Sequence, residues 1–258
     1  MHDFSGKIVL VTGGAGHIGR AICQHFLAAG ATVIACGRRE PKVQIAHAGR
    51  IARFMCADIR DPEASQQMVD TITADYGRLD ILVNNAGGGP PVAAAAASPT
   101  LTQKIIALNL IAPMVLSQQA HSALAAGDQP GVIINIASVS GVRPSPGSAA
   151  YGAAKAGLVS VTQSSAMEWG PDVRVNAVVV GLVHNEAGHE HYGGEAGFRK
   201  VADMIPLKRM ADPADIARAV LMLCSSDAAY ISGASLEVHG GGEVPVFLHL
   251  ASEAQQSR

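Results

Sequence analysis

Thr12-Gly13-Gly14-Ala15-Gly16-His17-Ile18-Gly19 follows directly on the apolar run Ile8-Val9-Leu10-Val11. A strand, a glycine-rich turn and then helix-forming sequence aim successive backbone N–H groups at one point, with the helix dipole adding to them, and so build an anion site. Gly14, Gly16 and Gly19 fit G-x-G-x-x-G, and their place after the first strand points to a pyrophosphate. A plain tight turn is the structural alternative.

Working outward, short apolar runs recur at Lys7–Thr12, Ala31–Cys36, Ile51–Ala57, Leu79–Asn84, Val132–Ala137, Val173–Val180 and Ala234–Val238. Most are continuously apolar rather than alternating, as in parallel strands covered on both faces. Helical patterns fall between them at about 17–29, 62–76, 100–126, 151–169 and 213–225. The expectation is an α/β, doubly wound, seven-stranded and mostly parallel sheet with helices on both faces. The 258 residues suit one domain, 1–258, without a linker. The stretch GGGPPVAAAAASP, residues 87–99, reads as a loop into a helix, and its composition suggests no chemistry.

Lys and Arg number 19 against 21 Asp and Glu, a net charge of -2 with no basic block, which argues against nucleic acid or an anionic membrane as partner. Cys23, Cys36, Cys56 and Cys224 show no metal or redox spacing, as expected of reduced thiols in the cytoplasm. The N-terminus lacks signal-peptide features, and no apolar run is long enough to suggest a membrane span.

The second strand ends Ile34-Ala35-Cys36-Gly37-Arg38-Arg39-Glu40. A carboxylate at this strand end would bind an adenosine ribose 2′-hydroxyl. Gly37 stands in that place, and Arg38 and Arg39 suit a 2′-phosphate, so NADP(H) is favoured with NAD(H) as the alternative. Solvated arginines, or Glu40 reaching the ribose, are the competing readings.

Tyr151 and Lys155 lie four residues apart in a helical pattern and therefore share a face. A neighbouring ammonium and an oxidised nicotinamide both favour the phenolate, so the Tyr151 pKa is expected to fall. Ser138 ends the fifth strand, where open α/β sheets bind ligands, although Ser140 is close by and a strand-end serine also caps its own backbone. In Asn109-Leu110-Ile111-Ala112-Pro113, proline has no N–H to offer the Asn109 carbonyl, which is left free or merely marks a kink.

The glycine turn, Asn84-Asn85-Ala86-Gly87, Ser138 and Tyr151-Gly-Ala-Ala-Lys155, in this order and spacing, resemble the short-chain dehydrogenase/reductase family over essentially the whole chain. The resemblance implies a Rossmann fold and hydride transfer between a nicotinamide and a carbonyl or alcohol, with Asn109, Ser138, Tyr151 and Lys155 as the catalytic set. For the cofactor it implies Gly13, Gly16, His17, Ile18, Gly19, Arg38, Asp58, Ile59, Asn85, Ala86, Gly87, Tyr151, Lys155, Gly181 and Val183. It also implies a small-molecule substrate, such as a 3-oxoacyl or steroid-like ketone, and a homo-oligomer, tetramer or dimer. No metal is expected.

Departures stand beside the likeness. His17 replaces the glycine of many relatives, and reads either as a phosphate contact or as a helix-start residue facing water. Val180 replaces a proline before Gly181, Asn185 stands where a threonine often contacts the carboxamide, and His239 stands where acidic residues are common. Residues 184–205 match a substrate lid; their His184, His189 and His191 with Glu186 and Glu190 also permit a metal reading that the glycines oppose. Arg143 is read as a contact for a substrate anion or as surface. Competing functions are an isomerase or dehydratase with transient nicotinamide redox, suggested by the glycine spacing, and a nonenzymatic nucleotide sensor, which the intact Ser-Tyr-Lys set opposes.

Overall fold

Ile8–Thr12 forms β1, and all five residues are buried. Its β-branched side chains have few rotamers to lose and pack well on a pleated surface. This computed structural model describes residues 2–184 and 193–246. Around β1 lie β2 (Thr32–Gly37), a two-residue pair β3 (Ala46–His47) and β4 (Arg50–Ile51), then β5 (Arg53–Cys56), β6 (Ile81–Asn84), β7 (Gly131–Ser138), β8 (Val173–Val180) and β9 (Ser235–Val238). Seven of them form one sheet in the order β5-β2-β1-β6-β7-β8-β9, with every pairing parallel.

The chain builds outward from β1 to β5 and then returns to place β6 on the other side of β1. That reversal opens a crevice beyond the carboxyl ends of β1 and β6, the usual ligand position in such sheets. Thr12 laces its two lips together. Its hydroxyl donates to the Val83 carbonyl at 3.3 Å and accepts from the N–H groups of Asn85 and Ala86, both at 3.0 Å.

On one face, α1 (His17–Ala28) and α7 (Pro213–Cys224) bury Ile22, Phe26, Ile216 and Val220. On the other, α2 (Pro62–Tyr76) contributes Met68, Val69 and Ile72, joined by α4 (Ala112–Leu124) through Leu116, Ala120 and Leu124. Local signals set the helix ends. Asp61 accepts from the N–H groups of Glu63 and Ala64 ahead of Pro62, and Gly77 closes α2 in the left-handed region at φ 77°.

The predicted 100–126 helix is a composite: α3 (Pro99–Ile106), a π turn over Ala107–Ile111, and α4. Pro113 supplies the reason, because its missing N–H removes one α-helical bond and the ladder shifts by a residue. Against expectation, the whole Pro99–Leu124 path is long and apolar enough by composition to cross a membrane. Its Leu116, Ala120 and Leu124 instead complete the core against the sheet.

Two elements went unread in the sequence. Ala48 and Gly49, both at positive φ (50° and 75°), make the tight turn between β3 and β4. Within the predicted lid, Gly194–Met204 is a helix, α6, entered through left-handed Gly193 and Gly194. The lid's middle, 185–192, with Asn185, Glu186, His189, Glu190 and His191, lies outside the described residues. The remaining helix, α5 (Ala149–Trp169), packs on β7 and β8.

Leu116 is fully buried beyond the π turn. Leu116→Ala should cost about 2–5 kcal/mol in urea unfolding; a loss well under 1 kcal/mol would show that the site collapses freely around the missing side chain.

Candidate active site

Gly16 starts α1 without a side-chain cap, and no acidic residue occupies the first turn. Gly16 N–H is committed to the Gly13 carbonyl at 2.9 Å, and Arg20 N–H makes the first helical bond back to Gly16 at 2.8 Å. The N–H groups of His17, Ile18 and Gly19 therefore open onto the crevice, as a pyrophosphate requires. Glycine is obligatory at 19, where a Cβ would stand 2.2 Å from the Gly13 carbonyl oxygen.

These groups line a cleft of about 570 Å³. Every predicted cofactor residue from Gly13 to Gly87 is in its wall: Gly13, Gly16, His17, Ile18, Gly19, Arg38, Asp58, Ile59, Asn85, Ala86 and Gly87. Arg39 also lines it, whereas Glu40 is exposed and absent from the wall. Among the described residues neither the Arg38 nor the Arg39 guanidinium is in an ion pair. Sequence reading missed Arg60, which also lines the cleft and grips Asp58 through Nε and its backbone N–H at 2.9 and 3.1 Å. That grip holds the Asp58 carboxyl below its ordinary pKa. Alternating D-x-R was the available signal, but it is too common to carry an argument.

The His17 side chain reaches across the crevice. Its Nε2 is 2.6 Å from the carbonyl oxygen of His184, beyond β8, and the His184 ring stands edge-on to Phe198 of α6, centroids 5.3 Å apart. The glycine turn is thus tied to the base of the predicted lid. Just before it, Leu182 and His184 pair with Ala211 through C=O and N–H at 2.9 and 2.8 Å. Strand alternation turns the Val183 N–H and C=O the opposite way, away from Ala211. Gly181 has no room for a side chain, since a Cβ would meet the His239 Cβ at 2.6 Å.

Beside the cleft, Ser138, Tyr151, Lys155 and Asn109 form a run of neighbours, of which Lys155 and Asn109 stand against Gly87. Ser138 ends β7; its hydroxyl accepts from Ser140 N–H at 3.2 Å and lies beside the Tyr151 phenol, whose pKa it acts to lower. Ser140 turns instead to Ser145, 3.1 Å away. Two glycines permit this closeness. A Cβ on Gly152 would stand 2.6 Å from the Ser140 carbonyl oxygen, and one on Gly141 would stand 2.7 Å from the Ala156 nitrogen.

Lys155 is buried, donates to the Ile136 carbonyl at 2.7 Å, and holds Nζ 5.7 Å from the Tyr151 ring centre. Asn109, fully buried in the π turn, exchanges hydrogen bonds with Gly88: Nδ2 to the Gly88 oxygen at 2.9 Å, and Gly88 N–H to Oδ1 at 2.8 Å. Its Nδ2 also donates to Ile105 at 2.9 Å. The side chain is therefore occupied. A Cβ on Gly87 would touch both Asn109 Oδ1 at 2.7 Å and Lys155 Nζ at 3.2 Å.

Electrostatics correct one expectation. Burial pushes the Tyr151 phenol up from its ordinary pKa, opposed only by the Ser138 hydroxyl, and burial brings Lys155 down to about 8. With the ammonium itself desolvated and placed over the ring, its field does not overcome the burial of the phenol.

Two smaller cavities flank the set. One of about 310 Å³ runs past Tyr151 between Pro90, Val92, Ala97, Thr102 and Ile106. The alanine-rich loop, read as inert, is one of its walls. The other, about 170 Å³, includes Val139, Gly181, Leu182 and Arg143, the last paired with Glu243 rather than bare at the surface.

The fold thus presents a glycine-rich cleft with a cluster of polar and titratable side chains at its edge, and comparison with known proteins shows the family. A family model described as enoyl-(acyl carrier protein) reductase matches residues 13–243. The 3beta-hydroxysteroid dehydrogenase 1 of Eggerthella lenta is 32% identical over 246 residues, 93% of this chain and 94% of that protein. The 3-oxoacyl-(acyl-carrier-protein) reductase FabG of Vibrio cholerae is 34% identical over 242 residues, 93% and 98% of the two chains. A solved short-chain dehydrogenase/reductase variant of Serratia marcescens superposes with TM-score 0.84 at 31% identity, covering 93% of this chain and 99% of its own. The chain belongs to the short-chain dehydrogenase/reductase family, and is an oxidoreductase of the kind that uses a nicotinamide cofactor.

The Lys155 shift carries a pH signature. Its folded pKa of about 8 lies below that of a free lysine, so the unfolded chain binds this proton more tightly. The cost of burying the charge is complete below about 8 and fades as pH rises toward the free-lysine value of roughly 10.4. In urea unfolding across that window, the stability of Lys155→Met minus that of the wild type should fall with rising pH. A difference that stays flat would mean that the fold does not oppose this charge.

Proposed function

We propose that this protein interconverts a secondary alcohol and a ketone with NADP(H) as its preferred cofactor. The observation that supports the reading is the run of neighbouring side chains Ser138, Tyr151 and Lys155, with Lys155 and Asn109 both against Gly87 at the edge of the cleft.

Ser138 and Tyr151 hold the substrate oxygen between their hydroxyls. Tyr151 gives its proton to that oxygen in reduction and takes one back in oxidation; burial keeps the phenol protonated at neutral pH and so readies it to donate. When bound, the cofactor supplies or accepts the hydride. Lys155, near 8, exchanges a proton on the physiological scale and replenishes Tyr151, with the Asn109 carbonyl as the acceptor that leads toward solvent.

For the cofactor, the N–H groups of His17, Ile18 and Gly19 take the pyrophosphate, with Gly13 and Gly16 shaping the turn. Arg38, with Arg39, takes the 2′-phosphate, and Asp58 and Ile59 flank the adenine. Asn85, Ala86, Gly87, Tyr151 and Lys155 hold the nicotinamide ribose side, while Gly181 and the Val183 backbone, turned away from Ala211, meet the carboxamide. Residues 184–205 act as the lid. The apolar walls of both flanking cavities favour a ketone with carbon on each side, of the 3-oxoacyl or steroid-like kind. We further assign the protein to the cytoplasm as a dimer or tetramer.

Tyr151→Phe should lower kcat by about 10²–10⁴ while cofactor affinity, read by fluorescence titration, falls far less; undiminished turnover would remove Tyr151 from proton transfer. The double variant Arg38→Ala/Arg39→Ala should raise KM for NADPH roughly 10–100-fold and leave NADH almost untouched. An unchanged NADPH/NADH ratio would mean that these arginines do not meet the 2′-phosphate.

A further inference from the structure

We infer that the Arg143–Glu243 ion pair is a charge gate on the substrate cavity and makes the enzyme select uncharged ketones over those bearing a carboxylate. This rests on the proposed carbonyl chemistry and deepens it by naming the substrate class.

Arg143 stands five residues beyond Ser138, on a turn fixed by bonds from Val142 and Arg143 N–H to the Val139 carbonyl at 3.1 and 3.0 Å. Its Nη1 donates to the Pro144 carbonyl at 3.0 Å, and its Nη2 meets Glu243 Oε1. Glu243 arrives from the opposite side. After β9, Gly240, Gly241 and Gly242 take φ values of 70°, 97° and 85°, a path that side chains resist, and the chain doubles back. Val244 N–H then anchors to the Met204 carbonyl at 3.2 Å.

Beneath the pair lies the cavity of about 170 Å³, walled by Val139, Val142, Leu182 and Ile205, with Gly181, Gly242 and His239 beside them, the histidine ring committed to Glu237 at 2.6 Å. Both partners of the Arg143–Glu243 pair are partly exposed, 38% for Arg143 and 32% for Glu243, so their charge is at the rim and the wall inside is mostly hydrocarbon. An apolar arm enters without disturbing the pair. A carboxylate arm meets Glu243 and gains Arg143 only by displacing it. Arg143 alone would invite an anion, and Glu243 cancels that invitation, a device that works by repulsion as much as by attraction.

The test compares levulinate with ethyl levulinate, which share one ketone and differ in charge. The wild type should favour the ester. Glu243→Gln should raise the acid-to-ester ratio of kcat/KM by about tenfold or more, and adding Arg143→Met should cancel the gain. Calorimetric titration of levulinate into each cofactor-loaded protein gives a readout that needs no turnover, with tighter binding expected only in Glu243→Gln. If neither ketone is reduced yet levulinate binds Glu243→Gln more tightly, the gate stands and the substrate reading fails. The gate is overturned by a wild type that prefers the acid. It is equally overturned if Glu243→Gln changes neither the ratio nor the binding.

Discussion

The site depends on the Thr12 hydroxyl. It is the point where the first strand and the strand that returns beside it are fastened at the topological reversal, one oxygen serving Val83, Asn85 and Ala86 at once. Asn85 completes the fastening by donating to the Thr12 carbonyl at 2.8 Å. One lip of the crevice presents the open N–H groups of α1, and the other presents Gly87 with Asn109 and Lys155 behind it. Phosphate binding and proton chemistry are therefore held at a fixed separation by a handful of backbone-directed bonds.

Behind the lips the core is not wholly apolar. Asn84 and Asn135 face each other in register across β6 and β7, with Asn84 Nδ2 donating to Asn135 Oδ1 at 2.8 Å and Asn135 Nδ2 donating to Thr162 of α5 at 2.9 Å. A one-residue slip would break this chain and strand buried amides. Polarity here thus ties the strand that ends at Ser138 to the helix that carries Tyr151 and Lys155.

Much of this was legible because it is written in short-range patterns. Continuous apolar runs gave each strand of the main sheet to within about two residues, and the helical pattern at 62–76 coincides with α2. The four-residue spacing of Tyr151 and Lys155 placed them on one face. What escaped reading depends on distance or on solvation. Arg143 and Glu243 are a hundred positions apart, so no spacing rule joins them. Helix α6 opens with two glycines that argue for a loop until their left-handed φ values are seen as its entry. The direction of the Tyr151 shift was missed because the ammonium's pull was weighed without the burial of the phenol, and burial is a property of the whole fold. His17 looked like a question of phosphate or water, and its partner is a carbonyl 167 residues away.

The π turn under Asn109 has a geometric consequence for the rest of its helical path. It inserts one residue into the ladder, and one residue of helix is about 100° of rotation. The path from Pro99 to Leu124 therefore changes phase in the middle. Its first part turns Ile105 to Gly89 and to the cavity along Tyr151, while its second turns Leu116 and Ala120 to the sheet. An unbroken α-helix of the same composition would keep a single apolar stripe and serve one of these surfaces. The interruption lets one rod be both a wall of the substrate side and a layer of the core, with Asn109 at the joint.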